Sequence, residues 1–383
     1  MADDTPSLPP GDGAADDVLR AWVERIRAAA ADRRPLRLRG GGTKAFYGDP
    51  VAAEAEVVDT RAYTGILSHE PTELVITARC GTPLSELEAA LDRHAQYLPF
   101  EPPHLGAGAT VGGMVAAGLA GPARAAVGGV RDYVLGARLL NGRGEDLVFG
   151  GQVMKNVAGY DVSRALAGSL GTLGLITEVS LKVLPRPAGE ATLRLPLSAD
   201  AALQQLARWR AQPLPLNASR WQDDAGGTLL LRLRGAAAAV ETACQRLLAE
   251  VGGDRLDPAT AQREWEATRE QTLPFFGTPP SPAHGLWRLS VAPAAPVLAL
   301  PGPTLVEWFG GQRWVWAPLD AADTLRAMAR QAGGHATLFR APAATPQVRG
   351  RFTPPEGPLR ALQQRVRTAF DPHGLFQPGV WGF

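Results

Sequence analysis

Residues Arg39-Gly40-Gly41-Gly42-Thr43-Lys44 follow a short alternating apolar run, Leu36 and Leu38, and put consecutive glycines where the chain leaves a strand. A glycine run at such an exit narrows the possible folds sharply. Glycine reaches positive φ without a steric penalty, and it lets another segment or a ligand approach the backbone. Amide N–H groups turned inward by such a run form a concave nest for an anion, and Lys44 sets a positive charge beside it. The same residues would also serve as an ordinary flexible turn, so the motif takes its meaning from what accompanies it.

What accompanies it is a mixture of strands, helices and further glycine segments. Leu74-Val75-Ile76-Thr77 reads as a buried strand. After Gly81, Thr82 as N-cap, Pro83 at the first helical position and Leu84, Leu87 and Leu91 on one face predict a helix. Gly106 to Gly121 has too many glycines for a routine helix and few side chains large enough to fill a core, so something other than side chains packs there. Val134 to Leu140 and Asp146 to Phe149 flank Asn141-Gly142, a strong hairpin signal, which points to mixed sheet rather than a repeating parallel array. A long strand, Leu173 to Leu184, follows Gly168-Ser169-Leu170-Gly171-Thr172-Leu173-Gly174 and stops at Pro185-Arg186-Pro187.

Beyond that boundary the pattern becomes an α+β layer. Strands are expected near Thr192 to Leu197, Asn217 to Trp221 and Thr228 to Leu233, with helices at Ala201 to Trp209 and Ala236 to Glu250. A second set has strands near Trp287 to Val291, Trp314 to Ala317 and His335 to Phe339, and a helix at Asp320 to Gln331. The Pro-rich stretch from Gly252 to His284 predicts no element. After a linker at Pro342 to Pro355, Leu359, Leu362, Val366 and Phe370 share one helical face, closed by Asp371-Pro372-His373-Gly374, and this tail is expected to dock on the first domain. The expected division is a disordered 1–16, a first domain at 17–187, a cap domain at 188–345 and a tail at 346–383.

With 383 residues the chain exceeds the size at which one core stops growing, and 45% hydrophobic with 20% charged residues describes a globular protein. A net charge of +1 gives no electrostatic footprint for nucleic acid. The acidic opening segment lacks the basic start and apolar core of a signal peptide, so a cytoplasmic location is expected. The longest charge-free run, Pro102 to Ala123, is rich in glycine and includes His104, unlike a lipid-spanning helix. Two cysteines, Cys80 and Cys244, exclude a disulfide framework and an iron–sulfur cluster held wholly within this chain. Cys80 follows an apolar strand and reads as a small buried hydrophobe rather than a nucleophile. None of the six histidines, His69, His94, His104, His284, His335 and His373, is paired at close metal-ligand spacing, so no metal site is expected.

Gly40 to Lys44, Gly81-Thr82, Pro102 to Gly113 and Gly171 to Ile176 are backbone-permissive segments of one domain, a lining suited to a large, flat, phosphate-bearing ligand. A nicotinamide site would put Gly-x-Gly-x-x-Gly straight after the first strand with an acidic residue some twenty positions on, and that arrangement is absent. Together Arg39 to Lys44, Thr110-Val-Gly-Gly-Met114, Arg131-Asp-Tyr-Val-Leu-Gly136, Lys155-Asn-Val-Ala-Gly-Tyr-Asp161 and Gly168 to Glu178 resemble the FAD-binding domain of the vanillyl-alcohol oxidase and p-cresol methylhydroxylase superfamily. Within it the chain is most similar to the E-type, FAD-binding subunits of bacterial glycolate oxidase, strongly from about Arg37 to Pro187, and again over Gly333 to Arg340 and the C-terminal tail.

The resemblance implies an α+β fold: a PCMH-type two-subdomain FAD-binding domain, then a smaller ferredoxin-like cap and a helical tail. It implies that Gly40, Gly41, Gly42, Thr43 and Lys44 hold the pyrophosphate of FAD. Gly81, Pro102, Ala109, Thr110, Gly112 and Gly113, with Gly171, Gly174 and Ile176, would lie along the flavin and adenosine, Thr110 as a helix N-cap. Members that attach FAD covalently commonly carry His where Thr43 stands, so non-covalent FAD is expected. Leu170 replaces a frequent Glu, which removes one adenosine-side contact.

The function implied is that of the FAD-binding subunit of a glycolate oxidase complex, not active alone, contributing to oxidation of glycolate and similar 2-hydroxy acids to 2-oxo acids. The implied partners are a related flavoprotein subunit and an iron–sulfur subunit, with membrane association, if any, at the inner face and through the complex. Two alternatives stand beside it: a self-sufficient FAD-dependent dehydrogenase of 2-hydroxy acids, and a structural subunit with a non-redox flavin pocket. Related dehydrogenases carry a His-rich metal segment that this chain lacks. His335 as base with Arg340 as carboxylate clamp is the available catalytic pair, against a plain structural reading as strand ends. Lys155 and Tyr160 read as structural, and Trp308, Trp314 and Trp316 read equally as partner anchors or as cap core.

Overall fold

The computed structural model describes residues 13–151, 161–224, 226–277 and 279–382. The chain opens with a helix, Gly13–Asp32, that buries Ala15, Leu19, Trp22, Ile26 and Ala29 at helical spacing. Residues 13–16, expected to be disordered, form its first turn, because Ala15 already has a place in the core and Asp16 sits favourably near the helix N-terminus.

The first domain has two layers of strand. Leu36–Arg39 and Glu56–Asp59 pair in parallel, and the tail closes on them: Leu36 N–H donates to the Leu375 carbonyl at 2.7 Å and Gln377 N–H to the Leu36 carbonyl at 2.9 Å. The larger sheet runs Ile66–Glu70, Val75–Arg79, Leu175–Lys182, Val134–Leu140, Asp146–Gly150, antiparallel throughout. It packs on the helices Leu84–Asp92 and Val111–Ala117 through Ile76, Leu87, Leu91, Met114 and Val179.

Three local expectations need correction here. Thr82 does not cap the helix that follows it. Its hydroxyl accepts from Gly65 N–H at 2.9 Å and donates to the Gly65 carbonyl at 3.1 Å, and extended Pro83 occupies the cap position. The glycine-rich segment does form a helix, Val111–Ala117, started by Thr110 and stopped by Gly118 at φ 62°. The hairpin is not a two-residue Asn-Gly turn. Asn141 N–H donates to the Glu145 carbonyl, and Gly144 takes the left-handed position at φ 66°, a longer loop in which the Asn141 side chain accepts from the amides of Arg143 and Glu145.

The cap is one eight-stranded sheet. Its first half follows strand–helix–strand–strand–helix–strand, Gly189–Pro196, Ala199–Arg210, Leu216–Gln222, Thr228–Gly235, Ala237–Val251, Asp254–Arg255, in the spatial order fourth-first-third-second of a ferredoxin-like unit. The second half adds Thr304–Glu307, Gln312–Pro318, His284–Ser290 and His335–Arg340, backed by the helix Ala322–Gln331. Four of its elements lie where the sequence suggested none: the strands Asp254–Arg255 and Thr304–Glu307 and the helices Pro258–Glu270 and Pro274–Gly277.

Cap and first domain are joined by buried charge. Glu101 accepts from Arg232 and Arg234, each at 2.7 Å, and from Ala123 N–H at 3.1 Å. Burial alone would raise the Glu101 pKa, but the two guanidiniums outweigh it and hold the carboxyl below its usual value. The tryptophan cluster faces inward. Trp308 donates to the Gly121 carbonyl, Trp314 to Glu307 and Trp316 to the Phe275 carbonyl, which makes the three part of the cap interior and of its seam with the first domain. The C-terminal helix Pro358–Phe370 buries none of its residues; Leu359 and Leu362 are half exposed, and Phe370 meets Phe149 at 5.9 Å between ring centres.

Candidate functional site

A cavity of about 700 Å³ opens between the first domain, the cap edge and the tail. One wall is the stretch from Gly40 to Tyr47, a second is Thr110, Gly113, Ala116 and Ala117, and Arg340, Arg351, Gln377 and Val380 close the far side.

The glycine wall has two separate reasons for its composition. A side chain at Gly41 would overlap the Gly108 carbonyl oxygen and one at Gly40 the Thr110 hydroxyl, so these two glycines let the 106–110 segment pack against the loop. Gly42 stands at φ 73°, the left-handed region. Packing therefore accounts for the missing side chains. It does not account for the amides: none of the N–H groups of residues 40–44 donates to another described residue. A row of free donors along a cavity is what an anion nest requires.

Lys44 is tied into the same wall. Its ammonium donates to the His104 carbonyl at 3.0 Å and to the Thr43 hydroxyl at 3.3 Å. Burial pushes its pKa down to about 8, with the charge of Glu270 working in the opposite direction. Glu270, at the end of the cap helix Pro258–Glu270, in turn accepts from the amides of His104 and Leu105. Cap, 103–106 loop and cradle thus form one connected unit. Thr110 accepts from Gly113 N–H at 3.3 Å and caps the helix that begins on the cavity wall.

Two polar groups on the far wall are left over by the protein's own bonding. Arg340 donates to Gln271 at 2.7 Å and stacks 4.3 Å from the Phe46 ring centre, yet its buried Nε has no partner. Gln377 donates to the Leu38 carbonyl at 3.2 Å, while its buried Oε1 has none. Orphaned buried polar atoms are few in native proteins, and two on one cavity mark a place for a polar ligand. Free amides, a Lys ammonium, an Arg and flat apolar walls are a donor set that fits FAD.

The remaining sequence-derived site residues lie behind this surface. Gly81 packs on the Thr60 and Tyr63 carbonyls, Gly112 on Cys80 and Gly174 on the Leu140 carbonyl. Ala109, Pro102 and Ile176 are buried, and Gly171 faces Leu38 and Gln377, which do line the cavity. Leu170 lines it too, at φ 53°. Cys80 is fully buried, and burial pushes its thiol up to about 12, as suits a core residue. Lys155 and Tyr160 lie outside the described residues.

His335 and Arg340 are not brought together. They stand at opposite ends of one strand, roughly 16 Å apart along it, with His335 exposed and Arg340 on the cavity. Sequence reasoning missed Gln377, Tyr47 and Glu270. Only the last had a signal, since Asp257-Pro258 is a helix-start pattern that places Glu270 near a helix end. Among the described residues no group of three His, Cys, Asp or Glu side chains could hold a metal ion, and no helix is long and apolar enough to cross a membrane.

Comparison with known proteins agrees with this geometry. A family model described as an FAD binding domain matches residues 20–150. The chain is 45% identical to glycolate oxidase subunit GlcE of Escherichia coli (strain K12) over 363 residues, 95% of this chain and 97% of that one. It is 30% identical to glycolate oxidase subunit GlcD of Bacillus subtilis (strain 168), covering 48% of this chain and 39% of the other. It is 35% identical to a D-lactate dehydrogenase of Archaeoglobus fulgidus over 42% of this chain and 36% of the other. Among solved structures, an alkyldihydroxyacetonephosphate synthase shares the fold with a TM-score of 0.65 at 16% identity, covering 95% of this chain and 75% of that one. Glycine cradle, cavity and full-length similarity converge: the chain belongs to the family of glycolate oxidase subunit GlcE, FAD-binding proteins of the PCMH-type fold.

Proposed function

We propose that this chain is the FAD-binding subunit of a glycolate oxidase, contributing to oxidation of glycolate and similar 2-hydroxy acids to 2-oxo acids. The observation that carries the reading is the similarity to the Escherichia coli subunit along 95% of the chain, on a cavity whose free amides suit a pyrophosphate. Bound FAD supplies the acceptor for the two electrons that leave the substrate. The amides of Gly40 to Lys44 and the Lys44 ammonium hold its phosphates, Thr110 fixes the helix beside it, and Arg340 with Gln377 closes the opposite wall. Thr43 offers a hydroxyl and no imidazole, which supports dissociable FAD.

Turnover is assigned to a complex with a related flavoprotein chain, whose electrons pass to an iron–sulfur chain. Two cysteines are too few for a cluster of this chain's own, and His335 and Arg340 are too far apart to act as one site. The test is to purify the chain alone, mix it anaerobically with glycolate and D-lactate, and follow the flavin spectrum before and after adding the partner chains. We expect no bleaching by the chain alone and bleaching with partners. Rapid bleaching by the chain alone would place a complete active site in it and overturn this reading.

A further inference from the structure

The face of the cap sheet turned toward the first domain carries a line of polar side chains that the cradle does not use. Strand register sets Arg220 opposite Glu307, Glu307 opposite Gln312, Gln312 opposite Ser290 and Ser290 opposite His335. The neighbouring row sets Leu305 opposite Trp314, Trp314 opposite Arg288 and Arg288 opposite Thr337. Residues opposite one another on adjacent strands share a face, with roughly 5 Å between neighbours. The first row thus puts a carboxyl and an amide side by side, and the second puts a guanidinium close to them.

Four of these residues, Glu307, Gln312, Trp314 and Arg288, line a small cavity between the sheet and the first-domain loops at Leu105 and Leu119 to Pro122. It offers about 30 Å³ to the centre of a water molecule. One water needs roughly 10–15 Å³ by the same measure, so the cavity suits two waters or one molecule of a few heavy atoms.

The bonding inside it is incomplete. Glu307, 4% exposed, accepts from Trp314 at 2.6 Å and Gln312 at 2.9 Å, both on Oε2. Gln312, 3% exposed, has a buried Oε1 with no partner. Arg288 donates to the Tyr47 hydroxyl at 2.8 Å and forms no ion pair among the described residues. Tyr47 lines the larger cavity, so the Arg288–Tyr47 bond links a residue of one space to a residue of the other. A buried acceptor that lacks a donor asks for a hydroxyl, and a half-buried guanidinium without an ion pair among the described residues suits a carboxylate.

We propose that this cavity is a binding subsite for a small 2-hydroxy carboxylate, its carboxylate on Arg288 and its hydroxyl on Gln312 Oε1 beside Glu307. The proposal rests on the 2-hydroxy acid reading above and names the residues that would recognise such an acid. The ligand has both groups on adjacent carbons, and the pocket's small volume excludes bulky side chains. Burial raises the Glu307 pKa, while the Trp314 and Gln312 donors and the nearby Arg288 charge work in the opposite direction.

The experiment is calorimetric titration of the purified full chain with glycolate, and with acetate, which lacks the hydroxyl, for wild type, Arg288→Met, Arg288→Lys and Gln312→Met. Flavin absorbance and a thermal melt are recorded for each protein to separate misfolding from lost recognition. We expect glycolate to bind wild type at least about tenfold more tightly than acetate, and Arg288→Met to lose about tenfold or more in glycolate affinity with its melt unchanged. Arg288→Lys should recover part of that loss, and Gln312→Met should abolish the preference over acetate. Equal glycolate affinity in wild type and Arg288→Met, or no heat with a wild-type chain that carries flavin, overturns the proposal. Binding that depends on Arg288 in a chain that carries no flavin would uphold this subsite and strike the cofactor reading instead.

Discussion

The Lys44 ammonium and the His104 carbonyl oxygen stand 3.0 Å apart, a bond that ties the glycine cradle to the loop whose amides are held by Glu270 of the cap. The cofactor wall is therefore assembled from three places in the chain. Its charge, its shape and its attachment to the cap can be perturbed separately.

Shape is tested at Gly41. A methyl group there meets the Gly108 backbone, which cannot swing away as a flexible side chain would. We expect Gly41→Ala to lower FAD affinity at least about tenfold, about 1.4 kcal/mol, as read from flavin fluorescence on titration. Affinity equal to wild type would show that the 106–110 segment does not need this approach.

Charge is tested through pH. The Lys44 pKa falls from an ordinary 10.5 to about 8 on folding, so between these values the unfolded chain binds more protons. From this group alone, stability of the FAD-free chain is lowest below pH 8 and rises with pH across that window. Phosphate beside the ammonium favours its charged form. FAD binding should then take up protons near pH 8, and affinity should fall as pH rises past it. Lys44→Met should flatten that pH dependence, which titrations in buffers of different ionisation heat would detect.

The seam between the domains is tested at Glu101. Glu101→Gln leaves Arg232, 2% exposed, without its counter-ion, and loss of one member of a buried pair costs about 3–5 kcal/mol. Urea unfolding should show a drop of that size. Adding Arg232→Met should restore part of it, and a drop under about 1 kcal/mol would mean that the Asn217 bond and a neutral amide suffice for Arg232.

Thr110 links local structure to the site. Thr110→Ala removes the acceptor for Gly113 N–H and should cost about 1 kcal/mol of stability. It also removes the hydroxyl that Gly40 packs against, so FAD affinity should fall with it. Thr110→Ser, which keeps the hydroxyl, should retain both.

Much of this was legible in the residues. Leu84, Leu87 and Leu91 gave the helix and its buried face, the family resemblance gave Thr110 as a cap, and most strands of the cap lie close to where they were expected. The helix Pro258–Glu270 was hidden because its buried residues, Ala261, Trp265 and Thr268, form too weak an apolar stripe to stand out among prolines. Its N-cap Asp257 and Pro258 were the signal available. The Glu101–Arg232 bond spans 131 positions and the Gln377–Leu38 bond 339, and no periodicity reports such pairs. Glu307 and Gln312 become neighbours only through the pairing of Thr304–Glu307 with Gln312–Pro318, and the first of those strands was not evident in the sequence.

The central claim, dissociable FAD in the Gly40–Lys44 cradle, is tested most directly by purifying the chain, precipitating it with acid and measuring flavin in pellet and supernatant. We expect close to one FAD per chain, all of it in the supernatant, and little in Gly41→Ala. Flavin retained in the pellet would contradict non-covalent binding, and a folded wild-type chain that neither carries nor takes up FAD would contradict the cradle itself.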